Sequence, residues 1–212
     1  DDQWGQSIIE NLKKENVDVS HATIIEGETA SFSIILSSTT GERIILNHPG
    51  TSKHLHDVTF AREEAKTMDW IYLNSIQEES CVIEDEIIKV LLDTPHVKLT
   101  WNPGECQVNM GYKRSSIQHL LKQTTLLQMN KEEALVFTSA STVEEALRIL
   151  AGSGAKYVCI TDGKNGTMAT DGVQVYHCPI VECPVVDTTG AGDAFGTAAT
   201  WALLNGKDLP IA

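Results

Sequence analysis

Two glycines join an apolar run to a helix in the segment Pro184-Val185-Val186-Asp187-Thr188-Thr189-Gly190-Ala191-Gly192-Asp193-Ala194-Phe195-Gly196. Gly190 and Gly192 let the backbone approach a ligand closely, and the N–H groups of a helix start attract an anion. Asp193 adds a carboxylate at the same place, which suits a general base that deprotonates a hydroxyl attacking a phosphoryl group. The simpler alternative is a tight connection in which Asp193 only caps the first helical turn.

Other nucleotide-binding and catalytic patterns do not occur in the sequence. The segment from Gly190 to Gly196 has one residue too many for G-x-G-x-x-G, which argues against a dinucleotide site. The chain contains no G-x-x-x-x-G-K-[ST], so a P-loop is excluded. It also contains no G-x-S-x-G elbow, so nothing in it supports serine hydrolase chemistry.

Upstream of this stretch, short apolar segments alternate with longer amphipathic ones. We predict strands over Trp70–Asn74, Val97–Asn102, Leu126–Met129 and Tyr157–Thr161, and helices over 79–92, 113–122 and 142–151. Strands separated by helices of this length favour βαβ crossovers and a parallel sheet that is covered on both faces. A hairpin of Thr167–Thr170 and Val173–His177 and a final helix over Ala191–Leu204 complete the predicted order.

The first part of the chain follows a different pattern. Apolar residues from Trp4 to Leu12 recur at helical spacing, which predicts an amphipathic helix over Gln3–Asn16. Between Ala22 and Asn47, apolar and polar residues alternate on either side of a turn at Thr39-Thr40-Gly41-Glu42. We therefore predict a small antiparallel sheet over 22–47, and we assign 1–21 together with 48–212 to an α/β core.

The string DTTGAGDAFGTAA, which begins at Asp187, closely resembles the C-terminal signature of the PfkB carbohydrate kinases, a ribokinase-like family. The resemblance implies an α/β fold of three layers, αβα, with a mainly parallel central sheet and a small antiparallel β-lid. It also implies a kinase that moves the γ-phosphoryl group of ATP to a hydroxyl. Carried over position by position, Gly190, Ala191 and Gly192 form the anion hole, and Asp193 is the catalytic base beside the substrate.

Two upstream segments resemble nucleotide-binding elements of the same family. Asn130-Lys131-Glu132-Glu133 resembles its N-x-x-E element, which implies that Asn130 and Glu133 belong to the nucleotide and magnesium environment. A hard carboxylate such as Glu133 suits Mg²⁺, usually through water. The family's T-x-G-x-x-G turn, which borders the nucleotide, is matched by Thr161, Gly163, Lys164 and Gly166, and Thr188 is assigned to the nucleotide as well. The alternatives are a helix N-cap followed by solvated glutamates, and a plain turn between strands.

The resemblance assigns further residues to the acceptor and to a monovalent cation. Asn102 and Gln107 lie in a segment similar to the end of a central strand, so both are candidates to contact the substrate; for Gln107 a surface position is the alternative. Asp187 and Thr189 match positions that hold a monovalent cation such as K⁺ in many relatives. The sheet over 22–47 resembles the lid that closes over substrate, and its alternating apolar face permits a homodimer without requiring one.

Composition narrows the classes of partner. The 212 residues contain 16 Lys and Arg against 29 Asp and Glu, and the resulting net charge of −13 disfavours nucleic acids and anionic membranes as partners. No apolar run approaches the roughly 18 residues that a membrane-spanning helix needs. Five scattered cysteines indicate reduced thiols in a cytoplasmic protein, and Cys159 suits core packing better than nucleophilic chemistry. The histidines and cysteines reach no recognised metal-ligand spacing.

The chain departs from the family pattern at both ends. The family's opening strand and its Gly-Gly-x-x-x-Asn substrate motif have no counterpart before Asp1, and the segment that helps to form the adenine site does not follow the signature helix. We therefore expect a piece truncated at both ends. The activity is left open between phosphorylation of a sugar by a ribokinase- or fructokinase-type enzyme, phosphorylation of a nucleoside by an adenosine-type kinase, and binding of a nucleotide or sugar phosphate without transfer.

Overall fold

The structure is a computed structural model, and it describes residues 2–37, 43–54, 60–75, 82–185 and 187–212. The predicted turn at Thr39–Glu42 lies outside these ranges. Two compact units divide the chain, residues 1–61 and 62–212. The assignment of 1–21 with 48–212 to a core and of 22–47 to a lid stays a prediction.

The smaller unit combines a helix with a two-stranded antiparallel sheet. Its elements are α1 (Gln3–Lys14), β1 (Phe32–Ser37), β2 (Arg43–His48) and a 3-10 turn over Gly50–His54. Helix α1 begins at Asp2, whose carboxylate accepts a hydrogen bond from the Gly5 backbone N–H at 2.8 Å. Strands β1 and β2 pair so that Ile34 lies opposite Leu46. The predicted helix and antiparallel sheet are therefore both present.

The larger unit is built on one six-stranded sheet. Its elements are α2 (Arg62–Ala65), β3 (Trp70–Leu73), α3 (Val82–Asp93), β4 (Lys98–Trp101), α4 (Glu105–Met110), α5 (Ser115–Leu121), β5 (Leu126–Asn130), α6 (Lys131–Thr138), α7 (Val143–Ala151), β6 (Tyr157–Thr161), β7 (Thr167–Thr170), β8 (Val175–Cys178) and α8 (Ala191–Leu204). The strands follow one another in the order β3-β4-β5-β6-β7-β8. Strands β3 to β6 are parallel, and β7 is antiparallel to both of its neighbours, β6 and β8. The predicted mainly parallel sheet is confirmed.

Helix α8 covers one face of this sheet. Successive residues of a strand point to opposite faces, so Leu126 and Leu127 of β5 are buried on different sides. On the first side, Ala199 and Leu203 of α8 pack with Leu126 and Cys159. Burial raises the pKa of the Cys159 thiol to about 12, in keeping with the predicted packing role.

Within the described ranges, no helix is both long and apolar enough to cross a lipid bilayer.

The helices that connect the parallel strands cover the other face. Trp101 of β4 is the register partner of Leu127, and both side chains are buried. The Trp101 ring meets the Phe137 ring of α6 edge to face, with centroids 6.2 Å apart. Tyr112 approaches the same phenyl ring, with centroids 6.5 Å apart. Aromatic packing on this side therefore fixes α6 against the sheet.

Replacing Phe137 with alanine should lower the free energy of unfolding by about 3–5 kcal/mol, because the phenyl ring leaves a cavity beside Trp101. Phe137 is 1% exposed, whereas its neighbour Val136 is 55% exposed. Val136→Ala on the same helix is the matched control and should change stability by no more than about 0.5 kcal/mol. Urea unfolding of the full-length protein measures both variants. Equal losses for the two would contradict the packing described for α6.

Candidate active site

The anion turn, which we define as Asp187–Asp193, leads directly into α8. The Asp187 carboxylate accepts a hydrogen bond from the Thr189 backbone N–H at 2.7 Å, a local turn typical of aspartate. The Ala191 N–H donates to the Thr188 carbonyl at 3.1 Å. Gly190 has a φ of 79°, in the left-handed region that favours glycine. The chain therefore reverses tightly just before the helix begins.

Two backbone donors at the start of α8 are open. In the part of the chain that the structure describes, the N–H groups of Gly192 and Asp193 have no hydrogen-bond acceptor. N–H groups of a first helical turn have no partner within the helix, and they attract anions. The anion hole was predicted from Gly190, Ala191 and Gly192, but the Ala191 N–H is engaged by the Thr188 carbonyl. The open donors therefore extend to Asp193 itself.

The Asp193 carboxylate is held at the carboxyl edge of the sheet. Asn74, the residue directly after β3, donates from Nδ2 to Asp193 Oδ1 at 3.0 Å. Its own Oδ1 accepts from the Ser75 N–H at 2.8 Å, which fixes the direction of the amide. Both Asn74 and Asp193 are exposed, so the carboxylate is open to a ligand. Asn74 was not among the predicted site residues, although a polar residue directly after a parallel strand is a recognisable signal.

A buried polar cluster lies behind the anion turn. Gln128 in β5 donates from Nε2 to the Gly192 carbonyl at 2.9 Å, and its Oε1 accepts from the Tyr72 hydroxyl at 3.3 Å. Burial, and to a smaller extent the charge of Asp193, raises the pKa of Tyr72, so its hydroxyl keeps the proton that it donates. The predicted substrate residue Asn102 donates from Nδ2 to the Gln128 carbonyl at 3.0 Å. Asn102 thus lies at the same edge of the sheet.

The predicted nucleotide and magnesium residues Asn130 and Glu133 form a capping box at the start of α6. Asn130 Oδ1 accepts from the Glu133 N–H at 2.8 Å, and Glu133 Oε2 accepts from the Asn130 N–H at 2.9 Å. The helix N-cap proposed as the alternative is therefore real, but Glu133 is half-buried rather than solvated. Burial raises the pKa of Glu133. A single half-buried carboxylate fits Mg²⁺ held through water.

The predicted turn Thr161–Gly166 lies beside Asn130, because Asn130 and Thr161 are register partners at the ends of β5 and β6. Within the turn, the Asp162 N–H donates to the Gly166 carbonyl at 2.8 Å. Gly166 has a φ of 85°, and a Cβ there would lie 2.2 Å from the backbone of β8, so glycine is required. Gly163 and Lys164 are exposed in the short 3-10 turn between them.

The predicted metal residues do not form a cluster of ligands. Among the described residues, no group of three or more His, Cys, Asp or Glu is arranged to hold a metal ion. Asp187 and Thr189, predicted for a monovalent cation, are joined by the hydrogen bond within the anion turn. Their role as cation ligands stays a prediction.

Gln107, predicted to contact the substrate, is enclosed by the protein. It lies in α4 with 1% of its surface exposed, so it is neither open to a ligand in this structure nor on the surface. Its Nε2 donates to Glu84 Oε1 at 3.4 Å, a long hydrogen bond. Gln107 Oε1 and Glu84 Oε2 are both buried without a partner in the described part of the structure. Burial raises the pKa of Glu84.

Known proteins resemble the chain in both sequence and fold. The chain is 27% identical over 215 residues to ribokinase from Bacillus subtilis, which covers 100% of this chain and 68% of that protein. An 85-residue segment of the chain is 39% identical to cytidine kinase from Thermococcus kodakarensis. The match covers 39% of this chain and 31% of that protein. The structure of Arabidopsis thaliana ribokinase complexed with ribose and ATP superimposes with a TM-score of 0.81 at 22% identity, covering 99% of this chain and 68% of that chain.

The mainly parallel six-stranded sheet with a separate two-stranded antiparallel sheet is a ribokinase-like α/β fold. The chain belongs to the pfkB family of carbohydrate kinases, whose family model matches residues 1–212. The predicted family and fold are therefore confirmed. Kinases of this family use ATP.

Glu84→Gln should stabilise the protein increasingly as the pH rises. Because burial raises the pKa of Glu84 above its ordinary value of 4.5, the folded state favours the protonated carboxyl. The stability contributed by this group is complete below that value and is lost as the pH rises through the folded-state pKa. The neutral amide avoids this loss, so we expect a gain of about 1–3 kcal/mol at neutral pH. Thermal unfolding from about pH 4 to pH 8 measures the trend.

Glu86→Gln on the same helix is the control, with the opposite sign. Hydrogen bonds from Lys89 and, second, Arg62 lower the pKa of Glu86. Its contribution to stability is therefore present above its ordinary value of 4.5 and is lost as the pH falls. Glu86→Gln should destabilise the protein at neutral pH. Trends of the same direction for the two variants would show that burial does not govern Glu84.

Proposed function

We propose that this chain carries the catalytic site of an ATP-dependent kinase that phosphorylates a hydroxyl group of a sugar, of the ribokinase or fructokinase type. The observation that carries the proposal is the Asn74–Asp193 contact of 3.0 Å beside the open N–H groups of the anion turn. A fixed carboxylate next to backbone donors suits deprotonation of a hydroxyl and stabilisation of phosphoryl charge. The B. subtilis relative, a ribokinase, supports a sugar as the acceptor.

In the proposed reaction, Asp193 accepts the proton of the acceptor hydroxyl. The hydroxyl oxygen forms a bond to the γ-phosphorus of ATP while the bond from that phosphorus to the β–γ bridging oxygen breaks, and ADP leaves. The N–H groups of Gly192 and Asp193 stabilise negative charge on the transferred group. Asn74 holds the carboxylate toward the acceptor through its hydrogen bond to Oδ1.

The nucleotide is proposed to lie along the ends of β5 and β6 and the anion turn. Its candidate contacts are Asn130, Glu133, Thr161, Gly163, Lys164, Gly166 and Thr188. Glu133 would hold Mg²⁺ through water, and when bound the ion neutralises phosphate charge, which matters in a chain with a net charge of −13. Asp187 and Thr189 are proposed to hold a monovalent cation such as K⁺, and Asn102 is proposed to face the acceptor.

A nucleoside is the alternative acceptor. The segment that is 39% identical to the cytidine kinase of T. kodakarensis supports it. Because sugar and nucleoside kinases would use the same base and anion turn, the acceptor separates these two proposals. Binding of a nucleotide or sugar phosphate without transfer is the third possibility, and the exposed, oriented Asp193 argues for catalysis over binding alone.

Asp193→Asn should reduce phosphoryl transfer by about 100- to 10,000-fold, because the amide cannot accept the hydroxyl proton. ADP release is measured with Mg²⁺ and K⁺ across pentoses, hexoses and nucleosides, using the full-length protein. Asp85→Asn, which removes one exposed carboxylate from α3, is the matched control and should keep its activity.

The panel decides between the proposals. Release that depends on a sugar and is lost only in Asp193→Asn supports the sugar kinase, and release that depends on a nucleoside supports the alternative. Equal activity of Asp193→Asn and Asp85→Asn would remove Asp193 as the base. ATP binding without release for any acceptor would favour a binding protein.

We also propose that the β1–β2 sheet pairs with a second copy of the chain. One face of this sheet presents apolar residues from both strands, including the opposed Ile34 and Leu46, and the two are 50% and 53% exposed. Apolar faces of this kind are typical of interfaces.

Leu46→Lys should convert a dimer into a monomer in analytical ultracentrifugation. Ser33→Lys on the opposite face of the sheet is the control and should leave the dimer intact. A monomeric wild-type protein would contradict the proposal.

A further inference from the structure

Gln128 is a polar residue in an otherwise apolar strand. Its neighbours Leu126, Leu127 and Met129 are completely buried, and Gln128 itself is only 2% exposed. Burying a side-chain amide is unfavourable unless hydrogen bonds satisfy it. A leucine or methionine would fill the same space without this requirement. The partners of the amide therefore indicate what it contributes.

The Gln128 amide acts on the peptide group that joins Gly192 and Asp193. Its Nε2 donates to the Gly192 carbonyl at 2.9 Å. A trans peptide is planar, so its carbonyl and the following N–H point in opposite directions, and fixing the Gly192 carbonyl also fixes the Asp193 N–H. A hydrogen bond to the carbonyl further polarises the peptide and makes its N–H a stronger donor. That N–H has no acceptor within the described ranges.

Tyr72 and Gly196 hold Gln128 in this orientation. The Tyr72 hydroxyl donates to Gln128 Oε1 at 3.3 Å, so the amide nitrogen must face the Gly192 carbonyl. Gly196, one turn into α8, leaves the space that this pair occupies. A Cβ at Gly196 would lie 1.9 Å from Gln128 Oε1 and 2.2 Å from the Tyr72 hydroxyl oxygen. Glycine at 196 thus lets α8 approach β5 closely enough for the Gln128 contact.

We infer that Gln128 is a positioning residue for phosphoryl transfer. It orients the Asp193 N–H toward the transferred group and makes that N–H a stronger hydrogen-bond donor. Tyr72 supports it by holding the amide. The inference rests on the proposed kinase function, because it assigns Gln128 to the stabilisation of charge at the anion turn. Gln128 itself does not touch the reacting atoms.

Gln128→Met tests the inference, because methionine keeps the size of the side chain and loses the donor. We expect kcat to fall about 10-fold, less than for loss of a direct oxyanion donor, with the KM for ATP and acceptor changed less than about twofold. The pH profile should keep its shape, because Asn74 still holds the Asp193 carboxylate. Gln118→Met is the matched control, since it removes a comparable hydrogen bond from the Gln118 side chain of α5 to the Tyr112 carbonyl and should keep its kcat.

Tyr72→Phe provides a second test that removes only one hydroxyl. It should lower kcat less than Gln128→Met does, and the double variant should be no slower than Gln128→Met alone, because Tyr72 acts through Gln128. Additive losses would overturn this arrangement. If Gln128→Met fails to fold, Tyr72→Phe decides alone, and an unchanged kcat then overturns the inference.

The amide resonance of Asp193 gives a readout that does not need turnover. In the full-length protein labelled with ¹⁵N-aspartate, Gln128→Met should move the Asp193 amide proton upfield without ATP, because its peptide is no longer polarised. Gln118→Met should leave it in place. An unmoved resonance, or equal kcat for the two variants of an active enzyme, overturns the inference. A wild-type protein without transfer to any acceptor instead refutes the proposed function, whatever the amide shows.

Discussion

The hydrogen bond from Gln128 Nε2 to the Gly192 carbonyl, 2.9 Å long, joins the start of α8 to a central strand of the sheet. The rest of the site depends on this attachment, since it sets where the open N–H groups of the anion turn lie relative to the strand ends. Gly196 makes the close approach of helix and strand sterically possible, and Asn74 adds a second link from β3 to Asp193. Helix α8, the anion turn and Asp193, the proposed base, are therefore fixed to the same edge of one sheet.

The parallel sheet gathers the remaining candidates at that edge. The carboxyl ends of parallel strands meet on one side, and an asparagine stands at or directly after the end of β3, β4 and β5, as Asn74, Asn102 and Asn130. Each has a defined hydrogen-bonding partner there: the Asp193 carboxylate, the Gln128 carbonyl and the capping box with Glu133. Since the chain has a net charge of −13, the open backbone N–H groups of the anion turn are the donors that we propose attract an anion.

Local sequence patterns were sufficient for much of this architecture. Apolar runs alternating with amphipathic segments predicted the parallel sheet, and the two glycines before an apolar helix predicted the anion turn and α8. Helices α2, α4 and α6, of four, six and eight residues, were not predicted, and α6 follows β5 directly with no turn residues to mark its start. The spacing of Asn130 and Glu133 indicates a helix N-cap from the sequence alone. The half-burial of Glu133 depends on the fold and could not be predicted from that spacing.

Residues that are close in the chain were enough to identify the family, the alternation of strands and helices in the parallel sheet, and Asp193 as the candidate base. The residues that contact Asp193 and the anion turn could be found only in the folded structure. Asn74 lies 119 positions from Asp193, Tyr72 lies 56 from Gln128, and Gln128 lies 64 from Gly192. The fold also buries Gln107 against Glu84, 23 positions away. Such contacts arise when strand pairing and helix packing bring distant segments together, and no local periodicity encodes them.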